Sequence, residues 1–385
     1  MANKELSTLK GEAELIGSHR FILKYKPVLN DFATFIAKQN DLRIKIKSKL
    51  PTYYAQHCLL SEKAAEQSTS EAVALYKSTI IKGEKGLVLA GGLGIDDWAF
   101  SQTSGHITSV DNDETLNILA GYNFELLKIH NINRLTATAE DFIKNNDTPF
   151  DFIYADPDRR EGETRQILLK DHQPNIIAML PDLLKTTREV WIKCSPLYDI
   201  DMAFKEVPGI DAIYCISQKS EVKEMLLKIT TNPAQDPLIT CVDISTATIE
   251  LSFTRSSDRP PICTEIKGYF YEAGATLVKT RLHTNYALQN GLSAIAYDTP
   301  FYCSDAMVSP FMGKCLKIAA VLPLNTKQLK LYFRGLKIKH LNIKSRGIAT
   351  DALKLLKDIG LSEGGEDFLF ICMFNEQAVA IHCVK

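Results

Sequence analysis

The chain lacks any long apolar run. No stretch approaches the ~20 consecutive apolar residues of a membrane-spanning helix, so no membrane partner is expected. The first twenty residues lack the apolar core of a secretory signal. C-x-x-C is absent as well. The nine cysteines, from Cys58 to Cys383, are scattered, which indicates neither a metal site nor a dithiol centre. An odd number of thiols on a chain without a signal fits a reducing, cytoplasmic setting. Net charge is almost missing, at −1, so bulk charge alone does not make the molecule a polyanion binder. What remains is ordinary for globular domains: 45% hydrophobic and 24% charged residues in a chain of 385, long enough for two or three domains.

Two nucleotide-binding signatures are also missing, G-x-G-x-x-G and the P-loop lysine. One stretch nevertheless organises the chain. Leu87–Ala90 is a short apolar run, followed by Gly91, Gly92 and Gly94, a helix-like start at Asp96-Asp97-Trp98, and a second apolar run, Ile107–Val110, ending on Asp111. Strand, glycine turn, helix, strand and terminal carboxylate is the order of a nucleotide-binding βαβ unit. Glycines let a ligand approach the backbone where a Cβ would clash. Asp111 is placed to accept hydrogen bonds from ribose hydroxyls. The competing reading is a tight strand-to-helix turn in any α/β protein.

Residues 1–80 carry apolar positions at helical spacing, such as Phe32, Phe35 and Ile36, and read as a helical domain packed beside the sheet. Its dense lysines, including Lys24, Lys38 and Lys45, read as a solvated face, with a substrate-gripping role as the alternative. Residues 81–232 alternate strand and helix. Strands are predicted at Leu87–Ala90, Ile107–Val110, Leu135–Ala137, Phe150–Ala155, Val190–Lys193 and Ala212–Ile216, which implies a parallel sheet covered by helices. Ala212–Ile216 and Glu224–Ile229 are joined by a turn too short for a crossover helix, so that pair is expected to be antiparallel. A doubly wound sheet ending in such a hairpin points towards class I methyltransferases.

After the fourth strand comes Tyr154-Ala155-Asp156-Pro157-Asp158-Arg159-Arg160. Ligands of open α/β sheets bind outside the carboxyl ends of the strands, so Asp156 is expected to face the same crevice as Gly91–Gly94. An Asp-Pro pair holds a carboxylate and a carbonyl in one orientation. Both can accept hydrogen bonds from an exocyclic amine. Arg159 and Arg160 offer planar forks for phosphate or carboxylate. The alternative is a surface turn in which Asp158 and Arg159 pair with each other.

G-G-L-G-I-D at Gly91–Asp96 and D-P-D-R-R at Asp156–Arg160 together resemble a bacterial family of class I SAM-dependent methyltransferases with a C-terminal THUMP-like domain. Lys193-Cys194-Ser195-Pro196 resembles its K-x-S-P, and Ser220–Glu224 its N-E-C-K-E. The resemblance runs from about residue 85 to the C-terminus. It implies a Rossmann-like fold, S-adenosyl-L-methionine (SAM) as cofactor and an RNA substrate. The family's acid on the first strand falls on Val88, its threonine on Ala90, and the carboxylate near adenine around Thr138, with Glu140 and Asp141 one turn on. The acid's job would pass to Asp96 or Asp97.

Residues 233–315 read as a ferredoxin-like α+β domain, with strands at Ile239–Ile244, Thr248–Thr254 and Gly268–Tyr271 and a helix over Leu277–Gln289. Residues 316–385 read as the THUMP-like domain. No acidic residue occurs between Asp305 and Asp351, while nine lysines and arginines do, with Tyr332 and Phe333 among them. Such a patch suits a nucleic-acid backbone, the alternative being a solvated face. Phe368–Met373 and Ala378–Val384 read as a hairpin around Asn375-Glu376.

The expected protein is therefore a cytoplasmic SAM-dependent methyltransferase acting on RNA, with a base amino nitrogen favoured. Gly91, Gly92, Gly94, Asp96, Asp111 and Glu140 are the candidate cofactor residues. Asp156, Pro157, Arg159 and Arg160 are the candidate catalytic ones. The rival readings are a catalytically inactive SAM-fold protein that binds RNA and a methyltransferase for a small molecule or protein.

Overall fold

The computed structural model describes residues 2–159, 168–245 and 247–385. The chain forms two compact units, one of residues 1–214 and 223–237, the other of residues 215–222 and 238–385.

The first unit begins with six helices: α1 (Ala2–Ile16), α2 (Ser18–Leu29), α3 (Asp31–Ile46), α4 (Pro51–Ala55), α5 (Glu62–Gln67) and α6 (Glu71–Ile80). The alternating region follows as β1 (Lys85–Leu89), α7 (Ile95–Ser101), β2 (His106–Asp111), α8 (Glu114–Leu126), β3 (Ile132–Thr136), α9 (Ala139–Lys144) and β4 (Phe152–Ala155). Two-residue strands β5 (Asp158–Arg159) and β6 (His172–Gln173) pair with each other. Then come α10 (Ile176–Thr186), β7 (Glu189–Cys194), α11 (Ile200–Glu206), β8 (Ile210–Gln218) and β9 (Glu221–Thr230).

The strands lie in the order β3-β2-β1-β4-β7-β9-β8. All pairs from β3 to β7 are parallel, and β9 runs antiparallel to β7, with Glu189 opposite Thr230 and Cys194 opposite Met225. Leu87, Val88 and Leu89 are fully buried, as expected for a central strand covered on both faces. The third strand starts three residues earlier than Leu135. Its sequence INRLT carries only two apolar residues at the edge of the sheet, so its apolar content understates its length.

The N-terminal helices pack on the sheet's own helices. Leu42, Ile46, Leu50 and Tyr53 share one core with Leu93, Ile95, Trp98 and Phe124. Tyr53 donates from its hydroxyl to the Gly94 carbonyl at 3.2 Å, and Asn123 exchanges bonds with the backbone of Leu59. Several of the lysines of this region are neutralised at its surface, Lys38 by Glu62 and Lys45 by Glu66. Arg43, in the same run of cations, is instead buried and donates to the Tyr54 carbonyl at 3.0 Å, so only part of the run is a solvated face.

The second unit holds β10 (Leu238–Asp243) and β11 (Ile249–Phe253), an antiparallel pair bonded to the tip of the β8–β9 hairpin through Ser217 and Val242. After them come β12 (Tyr269–Ala273), α12 (Ala275–Lys279), α13 (His283–Gln289), β13 (Ser293–Ala294), β14 (Phe301–Ser304), β15 (Gly313–Pro323), α14 (Thr326–Gly335), β16 (Asn342–Ser345), α15 (Ala352–Asp358), β17 (Phe368–Phe374) and β18 (Gln377–Val384). The helix expected over Leu277–Gln289 is broken at Arg281, which adopts a φ of 62°. One seven-stranded sheet, β13-β14-β12-β15-β18-β17-β16, spans the unit. The boundary expected at residue 315 falls inside β15. The C-terminal hairpin closes on Asn375 and Glu376, with φ of 47° and 64°, the left-handed pair that matches strand twist in a two-residue turn.

Candidate functional site

The site forms at the carboxyl ends of β1, β2 and β4. Register places Leu89 opposite both Val110 and Ala155. The Asp156 N–H then bonds the Leu89 carbonyl at 3.2 Å. The glycine turn and the Asp156-Pro157 corner therefore leave neighbouring strands at the same end of the sheet.

Each glycine of the turn meets a different constraint. A Cβ on Gly91 would lie 2.5 Å from an Arg134 nitrogen and from Ser109 Oγ. A Cβ on Gly94, whose φ is +80°, would lie 2.6 Å from the Phe124 ring. Gly92 has a φ of +54° and nothing within 4 Å of its Cβ position, so it alone of the three faces open space. Asp111 braces it: Oδ2 accepts the Gly92 N–H at 2.7 Å and Oδ1 accepts the Asp113 N–H at 2.9 Å. Each oxygen keeps a lone pair for a further donor, such as a hydroxyl.

Beneath the turn lies a polar cluster that the sequence reading missed. Arg134, on β3, donates to Asp97 Oδ2 at 2.5 Å, Ser109 Oγ at 3.0 Å, the Gly92 carbonyl at 2.5 Å and Asn117 Oδ1 at 2.6 Å. Burial pushes the Asp97 carboxyl above the usual range, and Arg134 and Ser109 oppose it. Val88, where the resembled family has an acid, pairs in register with Ser109 and Tyr154 and is fully buried.

Asp96 is committed elsewhere. Its carboxylate takes Lys77 Nζ at 2.8 Å and the Tyr154 hydroxyl at 2.9 Å. Lys77 is wholly buried and also reaches Glu224 at 2.8 Å, the Tyr154 oxygen at 2.8 Å and Thr69 Oγ1 at 3.2 Å. Four segments, α6, α7, β4 and β9, thus meet at one ammonium. Burial drives the Tyr154 hydroxyl far above its ordinary range, reinforced by Asp96 and Glu224, so it remains a donor. The signal for Lys77 was its place on the apolar face of α6, three and four residues after the buried Ala74 and Val73.

Lys193 approaches Asp156 Oδ2 at 2.6 Å. Pro157 is buried beside it. Glu140 sits exposed in the first turn of α9, a helix capped by Thr138 through the Asp141 N–H at 3.1 Å. Arg159 is described in backbone only, within β5, and Arg160 lies outside the described residues. The aromatics weighed as stacking partners are core residues: Trp98 packs edge-on to Tyr53, and Tyr198 donates to Glu206 at 2.8 Å.

The second unit presents its charge differently. Lys327, Lys330 and Arg334 on α14 and Lys337 after it are exposed, with Leu331 and Leu336 among them, while Leu329 and Phe333 are buried. Lys344 is paired with Glu272 at 2.7 Å. Tyr332 is anchored to the buried His382 at 3.0 Å, which reaches Asp367 at 2.8 Å. The nine cysteines are free thiols. Among the described residues, no group of three His, Cys, Asp or Glu side chains is arranged to hold a metal, and no helix is long and apolar enough to cross a membrane.

Residues 313–385 match the family model for a THUMP domain-like segment. No curated protein matches the chain in sequence. Among solved structures, the chain is similar to a candidate methyltransferase from Porphyromonas gingivalis W83, with a TM-score of 0.89 at 24% identity over 99% of this chain and 98% of that one. Partial likenesses include a candidate class I S-adenosylmethionine-dependent methyltransferase from Listeria monocytogenes (TM-score 0.36, 14% identity, 53% of this chain and 73% of that one) and a candidate methyltransferase from Streptococcus mutans in complex with SAH (0.31, 12%, 41% and 97%). Their TM-scores are too low to extend the likeness further. By its strand order and the full-length structural match, the chain shares the fold of that candidate methyltransferase, and its last segment matches the THUMP domain-like model.

Proposed function

We propose that the protein is a SAM-dependent methyltransferase that modifies RNA, at an amino nitrogen of a base. The observation that carries this reading is the Asp156 N–H bond to Leu89, which joins the acceptor corner to the glycine turn at one sheet end. The residues present fit the cofactor. Gly92 offers open backbone, and Asp111 keeps a free lone pair on each oxygen beside it. SAM, when bound, supplies an electrophilic methyl group on a sulfonium.

The remaining roles fall to the chain itself. Gly92 and Asp111 would hold the adenosyl portion, and Arg134 keeps the turn in shape from below. Asp156 and the Pro157 carbonyl would accept N–H bonds from the acceptor amine, leaving the nitrogen lone pair free. Positioning of this kind supplies most of the rate when no strong acid or base is required. RNA is favoured as substrate by the exposed cations of α14, in a span without acids.

Calorimetry with SAM tests the first half, and transfer of labelled methyl to RNA from a strain lacking the protein tests the second. Heat on titration followed by labelled nucleosides supports the reading. The inactive-protein rival is favoured by Val88 and by the commitment of Asp96 to Lys77, and absence of heat at millimolar SAM would decide for it.

A further inference from the structure

Lys193 stands next to the end of β7, one strand over from Asp156. Its side chain is 15% exposed and that of Asp156 35%, and 2.6 Å separates Nζ from Oδ2. Burial weakens this lysine's hold on its proton, but Asp156, Glu224 and Asp96 outweigh burial and keep it above the ordinary lysine range. Among the described residues, the Asp156 carboxylate has this one bond, so Oδ1 is left to accept.

A carboxylate on two free torsions would sample many orientations, while one tied to a part-buried ammonium keeps one. We propose that Lys193 is a positioning residue for methyl transfer, pinning one oxygen of Asp156 so that the other meets an N–H donor of the acceptor. This rests on the methyltransferase reading. It also defines the acceptor class: a nitrogen carrying a hydrogen suits the pinned oxygen, whereas an acceptor without a donor leaves that oxygen unpaired and its desolvation uncompensated.

The test uses the full chain, labelled SAM and RNA from a strain lacking the protein. Lys193→Met and Lys193→Gln are expected to lower kcat at least ~10-fold, since small misplacement of a reacting group costs up to about 100-fold. The KM for SAM should stay within about twofold, because uniform cofactor binding is untouched. Lys193→Arg, which also reaches a carboxylate, should recover most of the loss. Adding Lys193→Met to Asp156→Asn should cost little beyond Asp156→Asn alone, since the two act as one unit.

Wild-type kcat in folded Lys193→Gln would overturn the inference while leaving the methyltransferase reading intact. So would multiplicative losses in the double variant, or a loss that follows only the folded fraction. A wild-type protein that neither binds SAM nor transfers methyl overturns both.

Discussion

The two units handle charge in opposite ways. In the first, carboxylates and cations are paired out of water: Lys77 with Asp96 and Glu224 and Arg134 with Asp97 are buried, and Lys193 with Asp156 is part-buried. In the second, cations of α14 stand in water with no acid nearby in sequence. Buried mixed charge fixes geometry and tolerates little change, because a lone partner would be stranded out of water. Exposed charge of one sign contributes little to stability and instead sets the long-range field that attracts a polyanion.

The sharpest way to break this contrast is Lys77→Met. It strands Asp96 and Glu224 and should cost about 3–5 kcal/mol in denaturant unfolding. A loss below about 1 kcal/mol would place Lys77 with ordinary surface cations.

Alkaline titration compares the units through their thiols. Burial raises Cys58 to about 12, Cys241 to about 11 and Cys372 to about 12, and lifts Cys194, Cys215 and Cys383 as well. Raised acids bind their protons more tightly when folded. Their contribution is whole below the ordinary thiol value and is lost as pH climbs from about 9 towards the folded values, at up to ~1.4 kcal/mol per pH unit for each thiol. Cys58 and Cys194 belong to the first unit, and the other four to the second, so ionisation of these six thiols should weaken the second more steeply than the first above pH ~9. Simultaneous loss, followed by amide exchange in each unit, would remove this asymmetry.

Smaller effects sharpen the site. Gly92→Ala has room for its methyl but a φ of +54°, so it should cost about 1–2 kcal/mol. If the cofactor lies there, calorimetry should also show SAM binding weakened at least ~10-fold, about 1.4 kcal/mol. Lys327→Ala, Lys330→Ala and Arg334→Ala should each shift stability by less than ~0.5 kcal/mol. Each should still reduce the salt slope of RNA binding by ~0.7–0.9 wherever it touches phosphate, as filter binding across salt would show.

What could be read from the sequence was chemistry with a local signature. Gly91, Gly92 and Gly94 announce a backbone with special dihedrals, and Asp156-Pro157 announces a rigid corner after an apolar strand. Asn375-Glu376 separates two apolar runs and lands in a tight hairpin turn. Interactions between distant segments leave no such mark. Lys77 stands on the apolar face of α6, which hints at burial, but nothing in the sequence names Asp96, Tyr154 and Glu224 as its partners. Arg134 sits in a polar-looking edge strand, yet it supports the turn 42 residues earlier in the chain. The split of Leu277–Gln289 at Arg281 involves neither glycine nor proline, so no breaker was visible.

Strand β15 is hydrogen-bonded to β12 on one side and to β18 on the other. Cutting the chain near residue 316 would therefore remove the partners of Tyr269 and Phe270, leave Gly313–Cys315 as a stub, and bare amide and carbonyl groups along β12. Such a raw sheet margin invites self-association. The role of the last seventy residues is better dissected by single surface substitutions than by truncation, because a shortened protein would report on clumping rather than on lost recognition.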